Sequence, residues 1–127
     1  MEYREILKGR MQSSIALRAK RMIRENKVFD EARKEFNSLM KDHFFTLGLA
    51  LYWAKGSQKG NYLQFTTSSR EMVLFMHKWI KKYIKIDENL IKQKNYASYS
   101  RIYITRIDVL RKVIAWQKLI IKYYSDK

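Results

Sequence analysis

No proline interrupts this chain, and its 127 residues include only four glycines. A helix can therefore end only at a glycine, at a capping side chain or where the hydrophobic period changes. Read by period, residues 2–26 carry Ile6, Leu7, Met11, Ile15, Ala19, Met22 and Ile23 at helical spacing. This is the pattern of a basic amphipathic helix, open to a break at Gly9. A second helical run follows with Phe29, Ala32, Phe36 and Leu39, and a polar face of mixed sign. Asp42 is placed to cap a third helix from His43 to about Ala54, which Gly56 terminates.

Beyond Gly56 the period falls to two. Residues 57–61 have turn chemistry and Tyr62 to Thr66 alternate, so a hairpin with a short first arm is expected. Ser68 and Glu71 form a capping-box pair ahead of the helical stripe Met72, Phe75, Met76, Trp79, Ile80, Tyr83 and Ile84. Leu90–Tyr96 and Arg101–Arg106 read as a second hairpin, and Asp108 as the cap of a last helix. The expectation is an α+β protein: a basic helical segment, 1–41, and then a domain, 42–127, with the order αββαββα.

Charge narrows the partners. Lys and Arg number 27 against 12 Asp and Glu, a net +15, and such self-repulsion in one small domain points to a polyanion. Cysteine is absent, which excludes disulfides, thiolate metal sites and cysteine nucleophiles. His43 and His77 have no companion at ligand spacing, so neither a metal nor a cofactor is expected. The longest apolar stretch, 44–54, falls far short of the roughly 20 residues that span a bilayer, and the charged first residues do not open a signal peptide. A cytoplasmic protein without membrane insertion is the expectation.

The run Gly48-Leu49-Ala50-Leu51-Tyr52-Trp53-Ala54-Lys55-Gly56-Ser57 resembles a degenerate LAGLIDADG motif of the homing endonucleases, in the style of small bacterial and archaeal proteins with a YWAEGS version. Ala50 stands for the motif's first glycine, Leu51 for its second leucine, Ala54 for its second alanine and Gly56 for its closing glycine. The resemblance extends from about Asp42 to Lys122 and implies a curved antiparallel sheet with helices on one face and the other open to a DNA groove. It also implies a homodimer seam through Leu47, Ala50, Leu51 and Ala54, because one motif supplies only half of a helix pair. Small residues four apart would let two helices approach closely. At the position of the family's metal-binding acid stands Lys55, which cannot ligate Mg²⁺ but can meet a phosphate. Catalytic residues are therefore not expected.

Alternation assigns Leu63, Phe65, Ile91, Ile102 and Ile104 to the inner side of the sheet. Tyr62, Gln64, Thr66, Lys92, Lys94, Tyr96, Arg101, Tyr103 and Thr105 are left outside. Those nine include no acid and suit contact with bases and phosphates, although an ordinary solvated face would read the same. Arg18, Lys20, Arg21, Arg24 and Lys27 would lie along a phosphate backbone or simply face water. Trp53, Trp79 and Trp116 are expected in the core, Met72 and Met76 as its filler, and Lys78, Lys81, Lys82 and Lys85 on a solvated helix face. The function expected is that of a nuclease-inactive dimer binding double-stranded DNA, with a regulatory role and RNA as a second ligand in view. The alternatives are an active endonuclease or RNA-splicing maturase, and a basic structural protein on RNA or an anionic membrane surface.

Overall fold

A computed structural model describes residues 3–125 and joins the first two expected helices into one, α1 (Tyr3–Leu39). Nothing between Asn26 and Phe29 opposes helix, and Gly9, with open space around it, costs about 1 kcal/mol without breaking the rod. Next comes α2 (His43–Lys55), capped by the Asp42 carboxylate, which accepts from the Phe44 amide at 3.0 Å. β1 (Leu63–Thr67), α3 (Arg70–Tyr83), a 3₁₀ turn (Glu88–Leu90), β2 (Lys92–Asn95), β3 (Ser100–Ile104) and α4 (Ile107–Ser125) complete the order.

The sheet has three antiparallel strands in the order β1-β3-β2, rather than the four expected. The first arm of the first hairpin shrinks to one bridge, Gly56 to Phe65, with the Ser57 amide donating to Gln64. Local bonds claim the rest of that arm. The Tyr52 phenol donates to the Ser57 carbonyl at 2.6 Å, and the Ser57 hydroxyl donates to the Lys59 carbonyl at 2.7 Å. Gly60, at φ +92°, then turns the chain in the left-handed region.

Three end signals are displaced as well. Ser69, not Ser68, caps α3, accepting from the Met72 amide at 3.3 Å. Asp87 accepts from the Asn89 amide and winds Leu90 into the 3₁₀ turn, so β2 starts only at Lys92. Asp108 lies inside the first turn of α4, where it takes the Arg106 guanidinium at 3.2 and 2.7 Å instead of capping.

Leu63, Phe65, Ile102 and Ile104 are fully buried beneath α2, α3 and α4. At the centre, Phe45 stacks on Trp79 with centroids 5.9 Å apart, and Trp116 meets both rings edge-on. The Trp79 N–H donates to the Phe45 carbonyl at 3.0 Å, and Gly48 lies directly against the Trp79 ring. Met76 is fully buried and Met72 half-buried, as filler should be. Trp53 departs from expectation, with 53% of its surface exposed. Phe45, Gly48, Leu49 and Tyr52 occupy the inward side of α2, and Trp53 lies about 100° past Tyr52.

α1 adds Ala32 and Phe36 to the core through α4, reinforced by ion pairs Glu25–Arg111 and Glu35–Lys112. Residues 3–24 are exposed throughout. Their apolar side chains do not share one face: Ile6 and Ile15, nine residues apart, point to opposite sides at about 100° per residue. Among the described residues no helix is long and apolar enough to cross a membrane.

Candidate nucleic-acid interface

Pairing register, not alternation alone, builds the open face of the sheet. Gln64, Tyr103 and Lys92 lie side by side on β1, β3 and β2, and Thr66, Arg101 and Lys94 form the next row. Six of the nine expected residues thus meet within the strands. Tyr62, Tyr96 and Thr105 sit just beyond strand ends, all exposed. Ile91, assigned to the inner side, is half-buried against the core.

The face holds three cations, Lys92, Lys94 and Arg101, and no acid. All six ion pairs among the described residues lie on helices and loops, so none neutralises these three. Aromatic rings take the place of carboxylates. The Lys94 ammonium stands 5.9 Å from the Tyr103 ring centroid, and the Arg101 guanidinium 6.0 Å from that of Tyr96. Arg101 Nε is shielded from solvent with no hydrogen-bond partner among the described residues. Tyr96 also stacks on Tyr99, at 4.5 Å and 22°. Tyr99 lies in the turn between β2 and β3, and its carbonyl accepts from the Tyr96 amide and so brings the two rings together. Two tyrosines three apart around a tight turn are the signal for it.

On α2 the four residues assigned to a helix seam do share a side. Leu47, Ala50 and Ala54 are exposed and Leu51 is half-buried, opposite the inward set. Beside them, Leu49, Ala50, Trp53, Gln117, Ile120 and Tyr124 line a groove of about 390 Å³ between α2 and α4. Gln117 is only 3% exposed, and its Nε2 has no hydrogen-bond partner among the described residues. Lys55 ends α2, exposed, where a cation complements the helix dipole whatever else it meets.

Arg18, Lys20, Arg21 and Arg24 project from the free part of α1, away from any strand, and join no ion pair among the described residues. Lys78, Lys81, Lys82 and Lys85 are exposed, with Lys81 paired to Glu88 and Lys82 to Asp42. Asp42 is committed to holding α2 on α3. The Tyr83 hydroxyl donates to it and keeps its carboxyl below the ordinary range, outweighing burial and aided by the Phe44 amide and Lys82. Burial, together with that carboxylate, raises the Tyr83 phenol in turn. Among the described residues no three His, Asp or Glu side chains converge to hold a metal ion.

Comparison with family models, with curated proteins and with solved structures yields no match for this chain.

Proposed function

We propose that the chain is a nucleic-acid-binding protein of LAGLIDADG-like fold that acts as a homodimer on duplex DNA without cutting it. The observation that carries this reading is the open sheet face, with three cations, an amide and hydroxyls in register and no carboxylate within it. A protein face meant only for water usually intersperses both signs, whereas phosphate contact favours this one-signed arrangement. Arg101, on the central strand, suits the two acceptors of a guanine edge, and Lys92 and Lys94 suit phosphates. For the dimer, the support is the uncharged outward side of α2 and the unpartnered Gln117 amide at the adjoining groove. For the lack of cleavage, it is Lys55 at the place of the metal-binding acid.

Salt dependence of binding to a duplex tests the reading. Each phosphate contacted adds about −0.9 to the log–log slope, so Lys92→Ala should weaken all sequences alike and flatten the slope by about one unit. Arg101→Ala should instead blur preference at one base pair. Unchanged affinity in both, with loss on replacing Arg18, Lys20 and Arg21, would move the binding surface from the sheet to α1.

A further inference from the structure

A ring with a cation poised over it is a half-filled site when both groups have another use. Tyr103 is half-buried at the centre of the open face, with the Lys94 ammonium above it. Two residues along β3 and then across to the end of β2, Arg101 and Tyr96 repeat the arrangement. At about 3.4 Å per strand residue, Tyr103 and Arg101 stand about 7 Å apart on β3, and Tyr96 lies two residues further on and one strand across. Among the described residues no carboxylate holds any of the three cations on the face. A nucleotide supplies both missing partners together. Its base covers the ring that the ammonium leaves, and its phosphate receives the displaced ammonium.

The geometry points to Tyr103 as a stacking platform for an unpaired base, with Lys94 and Arg101 gripping the flanking phosphates, so that the sheet takes single-stranded nucleic acid. Bases in a continuous duplex already cover one another, and their faces are closed to a tyrosine ring. Only an unpaired stretch can use this surface in full. The inference rests on the nucleic-acid reading of the same face and goes beyond it in adding unpaired nucleic acid to the duplex as a ligand. Tyr96 contributes less, because Tyr99 already covers its ring.

Fluorescence anisotropy with a labelled oligothymidylate, an oligouridylate and a duplex of equal length separates the possibilities. Tyr103→Leu keeps side-chain bulk but has no π face, and Tyr103→Phe keeps the ring. Loss of one stacked base should weaken single-strand binding by roughly 5- to 150-fold in the Leu variant, weaken duplex binding far less, and leave single-strand binding of the Phe variant near wild type. The ratio of the two oligonucleotides shows whether a 2′-hydroxyl is also read. Equal losses on single strand and duplex, or none on either, overturn the inference. Duplex binding without single-strand binding overturns it too while sparing the broader reading, whereas binding to neither ends both. Should the Leu variant not fold, ultraviolet cross-linking of wild type to the oligothymidylate decides: linkage at the β3 peptide containing Tyr103 is expected, and linkage confined to residues 3–24 refutes it.

Discussion

At the scale of single residues, Gly48 shows how a small side chain positions large ones. A Cβ there would collide with the Trp79 ring, which is fully buried and tethered through its N–H to Phe45. Alanine would gain about 1 kcal/mol of helix propensity, but overpacking a core that cannot yield costs about 1–3 kcal/mol. The second term should win, so Gly48→Ala should lower the urea midpoint. Gly9→Ala, in open space, should keep it or raise it. Equal behaviour of the two would mean that Trp79 moves aside. Nothing local distinguishes Gly48 from Ala50, and what it touches lies 31 positions away, so its role is not legible in the sequence. The exposure of Trp53 is equally hidden, since a uniformly apolar helix does not reveal which side is covered. By contrast, Asp42 as cap and the inward Leu63, Phe65, Ile102 and Ile104 were legible, because capping and alternation are local rules.

Among elements, legibility followed the strength of the period. The stripe of α3 and the second hairpin were readable, while the lost first arm depended on a Tyr52–Ser57 bond that no pattern encodes. α2 is apolar on two sides, one covered by the core and one not. If two copies meet along the uncovered side, Ala54 limits how closely the helices approach. Ala54→Leu should then weaken self-association by roughly 5- to 150-fold, the equivalent of about 1–3 kcal/mol of overpacking, without changing the thermal unfolding of the single chain. Sedimentation equilibrium measures the first effect. A wild-type mass equal to one chain would remove the premise. The open face was half legible: alternation named its residues, but only the register reveals that Lys94 and Arg101 neighbour one another and that rings, not acids, attend them.

At the scale of the whole molecule, charge is segregated. Between residues 3 and 24 there are seven cations and one acid, all exposed, whereas Glu25 and Glu35 bind the same helix to α4. Anchored by Ala32 and Phe36, the free part of α1 extends about 33 Å as a helix, against a radius of gyration of about 14 Å for a compact chain of this length. Solution scattering should therefore give a value well above about 14 Å for the single chain, and a value at the compact limit would place the arm against the domain. The same extension has a hydrodynamic cost. A body with a rigid oar drags more than a sphere of equal mass, so an elution volume calibrated on spheres will overstate the size of one copy. Only methods blind to shape can count the copies.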